Sequence, residues 1–159
     1  MTAPVAHPPG VSIRLATDAD VASLAVLRRV WAEEQTGSSI DDPHFADAFS
    51  VWWDKERHQR LTWVATTGDV TVGMLNLLVY SRMPKPGRLA SRWGYIANAY
   101  VSVEYRDGGV GGALLDAATA YADEHGFVRL VLSPSPQSVP LYVRAGFDPA
   151  TSLLLRPFP

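Results

Sequence analysis

YVSVEYRDGGVGGALL, residues Tyr100 to Leu115, is the stretch on which the fold turns. A β-forming run, Tyr100-Val101-Ser102-Val103, leads into a glycine cluster that opens a helix. Gly108, Gly109, Gly111 and Gly112 leave backbone N–H groups uncovered by side chains. A helix N-terminus adds unpaired donors and a partial positive charge. Together these make a site suited to a phosphate or pyrophosphate. Arg106, just before the turn, can add a charge-assisted bond. A glycine-rich turn without a ligand is the plain alternative. Two phosphate motifs are excluded. No Gly-Lys-Ser/Thr follows the glycines, so this is not a Walker P-loop. A dinucleotide fingerprint starting at Gly109 needs a glycine at position 114, which is Leu114.

The pattern on either side of this stretch alternates strands and helices. Ser12 to Leu15 reads as a short strand. Thr17 offers a helix N-cap with Asp20 three residues on, and Val21, Leu24, Leu27 and Trp31 follow at helical spacing until Gly37. A second helix is expected from Asp42, with Pro43 in its first turn. Phe45, Phe49, Trp52 and Trp53 share one face of it, as core or as the lining of a site. Leu61 to Thr67 and Val70 to Tyr80 flank the turn Gly68-Asp69 as a hairpin. Ser81 to Ser91 holds Pro84, Pro86 and Gly87 and reads as a loop; Trp93 to Val103 is extended again. Gly109 to His125 is helical with Gly126 after its end, Phe127 to Leu132 is a strand, Val139 to Ala145 a short helix, and Thr151 to Leu155 a last strand. The expected order is β-α-α-β-β-β-α-β-α-β, an α/β arrangement around one sheet.

Arg106-Asp107-Gly108-Gly109-Val110-Gly111 has the spacing Arg-x-x-Gly-x-Gly. It resembles the acetyl-CoA signature of the GNAT (Gcn5-related N-acetyltransferase) superfamily. Tyr100 to Val103 looks like that family's fourth strand, and Leu141-Tyr142-Val143-Arg144-Ala145-Gly146-Phe147 looks like its LYxxxGF segment. The resemblance spans Ser12 to Leu155. It implies a central mixed, mostly antiparallel sheet flanked by helices, with residues 11–159 as one acetyltransferase domain behind a flexible tail of residues 1–10.

The resemblance also implies a chemistry: an acetyl group passes from acetyl-CoA, as co-substrate, directly to a primary amine on a small molecule or peptide. No covalent enzyme intermediate forms, and the transfer is to groups other than aminoacyl. Cofactor contacts are expected at Val101, Ser102 and Val103 on the strand end and at Arg106, Asp107, Gly108, Gly109, Val110, Gly111 and Gly112 in the turn. Ser135, where the family often has Asn, is expected to meet the pantetheine arm. Tyr142 takes the family's tyrosine position and is the expected general acid for the departing thiolate, though this tyrosine also packs. An alkyl ammonium has a pKa near ~10, so a proton must be removed before attack. Trp93 to Val103 contains no Asp or Glu, which leaves Tyr95 and Asn98 as the groups able to hold a water that acts as base. Glu33, Glu34, Asp41 and Asp42 stand near the expected acceptor site but read as surface charges. A homodimer is common in the family.

Composition sets the outer bounds. The chain has 159 residues, the size of one domain. It has no cysteine, which excludes disulfides, thiolate metal sites and a thiol acyl carrier. A net charge of −2 offers no basic field for nucleic acid. His7, His44, His58 and His125 are scattered without ligand spacing, so no metal is expected. The arginines outside the turn, among them Arg28, Arg29, Arg57 and Arg60, read as solvated, with Arg82 or Arg92 able to bound an acceptor pocket. No apolar run is of membrane-spanning length, and the expected location is the cytoplasm. Two other function classes fit parts of the pattern. The missing strand carboxylate suits a non-catalytic acyl-CoA-binding regulatory module. The glycine turn alone suits a phosphate-binding regulator, against which the LYxxxGF segment stands.

Overall fold

The computed structural model of the chain describes residues 7–159; residues 1–6 of the expected tail lie outside the described residues. In chain order the elements are β1 (Ser12–Leu15), α1 (Val21–Thr36), α2 (Phe45–Glu56), β2 (Arg60–Thr67), β3 (Val70–Ser81), β4 (Arg92–Val101), α3 (Val110–Glu124), β5 (Leu130–Leu132) and α4 (Val139–Arg144). The strands form one sheet in the order β1-β2-β3-β4-β5. Neighbours from β1 to β4 are antiparallel, and β4 and β5 are parallel. This is the mixed, mostly antiparallel sheet flanked by helices that the sequence led us to expect.

Strand alternation sends successive side chains to opposite faces, and two cores result. On one face Trp63, Ala65, Leu75, Leu77 and Ile96 pack under Val110, Leu114, Leu115 and Ala118 of α3. On the other, Val64, Met74 and Tyr100 pack under Leu24 and Leu27 of α1 and Trp53 of α2. Each fully buried Leu contributes about 1.5–3 kcal/mol. A bulge sets Asn76 opposite Asn98 and Leu77 opposite Ile96, so Ala97 has no partner residue on β3.

The N-terminus of α1 is fixed by charge. Asp20 accepts the Thr17 amide at 2.8 Å, and both Arg14 terminal nitrogens donate to its carboxylate at 2.7 and 2.8 Å. Asp18 accepts from Trp53 Nε1 at 2.9 Å, which ties α2 to the same corner. The described end of the tail is also held: Thr67 donates its hydroxyl to Gly10 O at 2.8 Å, and Val11 donates its amide to Pro8 O at 3.1 Å.

Three boundaries and one whole strand differ from expectation, each for a local reason. Helix α2 starts at Phe45 rather than Asp42, leaving Pro43 outside it. The Asp42 carboxylate accepts the His44 amide in a turn, and the first α-type bond runs from Ala48 to His44. Strand β4 ends at Val101 rather than Val103, because Tyr105 donates to Ser102 O and coils Val103–Tyr105 into a 3₁₀ turn. Strand β5 is three residues long; the Phe127 amide caps α3 by donating to Ala122 O instead of joining a ladder. The expected strand Thr151 to Leu155 does not form. Its β-propensity finds no partner edge beyond the short β5, and Leu154 and Leu155 are exposed. Among the described residues no helix is long and apolar enough to cross a membrane.

Candidate functional site

The glycine turn follows directly from the end of β4. The Ser102 amide donates to Val72 O at 2.9 Å, and the 3₁₀ turn then swings the chain to Asp107 and Gly109, both left-handed with φ of 62° and 88°. Glycine adopts that conformation without strain, and an aspartate tolerates it better than most residues. The first backbone bond of α3 runs from the Ala113 amide to Gly109 O at 3.0 Å. Among the described residues, the amides of Gly108, Gly109, Val110, Gly111 and Gly112 donate to no protein acceptor. They lie at the positive end of a 15-residue helix. A β-carbon on Gly111 would lie 3.6 Å from Leu141 and 3.8 Å from Val101, so this corner joins α3, α4 and β4; around Gly112 the space is open. Successive free amides with open space before them fit an anionic group such as a pyrophosphate.

Beside this turn the sheet comes apart. β5 pairs with β4 only at Gly94, Tyr95 and Ile96, so Ala97 to Val101 continue with no neighbour on that side. This leaves backbone groups of β4 without a strand partner on that side. Of the strand-end residues assigned to a cofactor, the Ser102 amide is committed to Val72, and Val101 O accepts Arg106 Nε at 2.9 Å. The Val103 amide donates in no described bond.

Arg106 points away from the glycine turn. Its terminal nitrogens grip Glu34 at the far end of α1, at 2.7 and 2.9 Å. Tyr100 donates its hydroxyl to the same carboxylate at 2.9 Å and stacks on Trp31 at 5.6 Å. The Arg106 bonds hold the Glu34 carboxyl below its usual range, while burial and then the Glu34 bond raise the Tyr100 phenol. Glu34 thus links the helix side of the molecule to the turn, a connection the sequence did not disclose.

Tyr142 is buried in α4 and packs edge-on against Phe147 at 5.8 Å. Burial alone raises its phenol above the usual value. Ser135 is exposed, and its hydroxyl donates to the Ser138 hydroxyl at 3.0 Å within the turn that opens α4.

A cavity of about 430 Å³ lies between α1, α2 and the sheet. Phe45, Phe49, Trp52 and Trp53 form one wall, so the aromatic stripe is core at Trp53 and lining along its whole length. Asn98 borders the cavity on the β4 side; Tyr95 is not among its lining residues. The arginines that reach it are Arg28 and Arg60, not Arg82 or Arg92. Arg60 is held by Glu56 at 3.0 Å through Nε and by Asn76 at 2.8 Å through Nη1. Arg28 lies over the Trp31 ring at 4.7 Å, and its Nη1 is buried with no hydrogen-bond partner. An unsatisfied buried donor of this kind costs about 1–3 kcal/mol. No carboxylate is among the lining residues. Among the described residues no three His, Asp or Glu gather where they could hold a metal.

Residues 24–147 match the Acetyltransferase (GNAT) family model. A GCN5-related N-acetyltransferase from Ralstonia eutropha is 28% identical with a TM-score of 0.71, over 94% of this chain and 99% of that one. A predicted acetyltransferase from Clostridium acetobutylicum, solved with acetyl-CoA, is 19% identical with a TM-score of 0.73, over 92% and 96%. An aminoglycoside acetyltransferase from an uncultured soil metagenomic sample, solved with sisomicin, is 15% identical with a TM-score of 0.70, over 94% and 95%. No curated protein sequence matches.

Proposed function

The chain belongs to the GNAT acetyltransferase family, and on that premise we propose that it moves an acetyl group from acetyl-CoA directly to a primary amine, with residues 11–159 as one catalytic domain. The observation that carries this reading is the row of unpartnered amides from Gly108 to Gly112 beside the stretch of β4 that β5 does not reach. The pyrophosphate is held by those amides. Because Arg106 is spent on Glu34, it supports the turn rather than the anion. The pantetheine arm lies along the unpaired side of Ala97 to Val101, with the Val103 amide as a further donor.

The cavity between α1 and α2 receives the acceptor, a small-molecule or peptide amine. The ammonium loses its proton to bulk solvent through water held at Asn98; Tyr95, outside the lining, has a lesser claim to holding that water. The free amine forms the C–N bond as the thioester C–S bond breaks, and the electron pair leaves on sulfur. Tyr142 supplies the proton to that sulfur; its raised pKa keeps the phenol protonated at neutral pH. The polycationic aminoglycoside of the soil relative is a poor match for a cavity with two arginines and no carboxylate. That same absence of a carboxylate supports a second reading, a non-catalytic acyl-CoA-binding module. A panel of amines separates the two. Release of free CoA that depends on the amine, with the N-acetyl product identified by mass, supports transfer. Binding of acetyl-CoA with no amine-dependent release supports the module.

A further inference from the structure

We infer that the acceptor is an amino carboxylic acid with an apolar or aromatic body, and that Arg28 receives its carboxylate. The inference rests on the acetyltransferase reading and names the substrate class of the same cavity.

Charge is the first ground. The two cations of the lining differ. Arg60 is neutralised by Glu56 at 3.0 Å, whereas Arg28 has no anionic partner among the described residues. A cavity with an uncompensated guanidinium repels an acceptor whose only charge is an ammonium. A carboxylate on the acceptor removes that repulsion and gives the Arg28 guanidinium, which lines the cavity, the anionic partner it lacks. The neighbouring Arg29 cannot substitute, because it is bonded to Ile40 O and Asp42 O and lies near Glu33.

Shape is the second ground. Phe45, Phe49 and Trp52 make a continuous aromatic wall, with Phe49 and Trp52 5.3 Å apart. At about 430 Å³ the cavity suits one compact molecule rather than an oligosaccharide. Asn98 adds a neutral polar group on the β4 side. One anion-receiving point, one apolar wall and a polar edge together describe an α-amino acid such as phenylalanine.

The test reads recognition separately from chemistry. N-acetylphenylalanine, its primary amide and N-acetyl-2-phenylethylamine are titrated into the protein, with tryptophan fluorescence and calorimetry as readouts. The free acid should bind at least about tenfold more tightly than the other two. Arg28→Met should abolish that preference, and Arg28→Lys should retain part of it. Circular dichroism confirms that each variant is folded. With acetyl-CoA present, phenylalanine should exceed 2-phenylethylamine in kcat/KM by a similar factor. Equal binding of acid and amide to the unmodified protein overturns the inference, as does a preference that survives Arg28→Met. Turnover of amines without regard to a carboxylate overturns the inference and leaves the acetyltransferase reading standing. Carboxylate-selective binding without turnover of any amine overturns that reading and supports Arg28 as the anion receptor.

Discussion

Arg106 and Glu34, 72 residues apart in the chain, meet in a two-pronged pair with N–O distances of 2.7 and 2.9 Å. Through Nε the same arginine holds Val101 O, so one side chain joins α1 to the point where β4 becomes the glycine turn. Both partners are partly exposed, with side-chain exposures of 39% and 36%. Exposure of this degree limits the pair's contribution to about 0.2–1 kcal/mol. A double-mutant cycle of Glu34→Ala and Arg106→Ala in urea denaturation should return a coupling of that size, shrinking in high salt. Acetyl-CoA affinity should fall only a few-fold in Arg106→Ala. A loss as large as that from blocking the glycine amides would mean that Arg106 leaves Glu34 to bind the phosphates itself.

Tyr142→Phe removes a hydroxyl and keeps the ring against Phe147. The hydroxyl gains no hydrogen-bond contribution from the protein, so stability should change by less than about 1 kcal/mol. The single-turnover rate should fall by about 10²–10⁴-fold with little change in KM for acetyl-CoA. In the unmodified protein the alkaline fall in rate should set in only above the ordinary tyrosine range, because burial raises this phenol. An unchanged single-turnover rate in Tyr142→Phe would make the residue structural.

The Arg14–Asp20 pair sets an acid limit. The Arg14 hydrogen bonds lower the Asp20 carboxyl from 3.8 to about 2, against the opposing effect of burial. A depressed folded-state value stabilises the fold fully above pH 3.8, and the contribution is lost as pH falls through about 2. With Arg14 half exposed and screened, its size is on the order of 1–2 kcal/mol. Acid unfolding of Asp20→Asn should therefore show a flatter stability profile between those pH values. A profile of unchanged slope would assign acid sensitivity to other carboxylates.

The parts that could be read in advance are those whose physics is local. The helical spacing of Leu24, Leu27 and Trp31, the hairpin around Gly68-Asp69 and the glycine turn all depend on near neighbours in sequence. The same holds for α4, where the LYxxxGF segment and the buried Tyr142 coincide. What escaped depended on distant partners. Thr151 to Leu155 has strand composition, but a strand exists only against another edge. Glu34 looked like a surface charge because Arg106 is 72 residues away. Arg28 looked solvated because nothing in its own helix shows that α2 and the sheet close a cavity beside it. The α2 boundary slipped by three residues because the Asp42 side chain takes the His44 amide before the helix begins.

The most direct test of the central claim is calorimetric titration of acetyl-CoA into the unmodified protein and into Gly109→Val and Gly111→Val, each checked for fold by circular dichroism. Cofactor binding at this turn requires the amides of Gly108 to Gly112 to grip the pyrophosphate. A branched side chain at Gly109 strains a backbone held at φ 88°, and one at Gly111 crowds the corner beside Leu141 and Val101. Affinity should fall by at least about tenfold in each folded variant, with no comparable loss in Arg106→Ala. Undiminished binding in a folded Gly109→Val protein would contradict the placement of the cofactor at this turn.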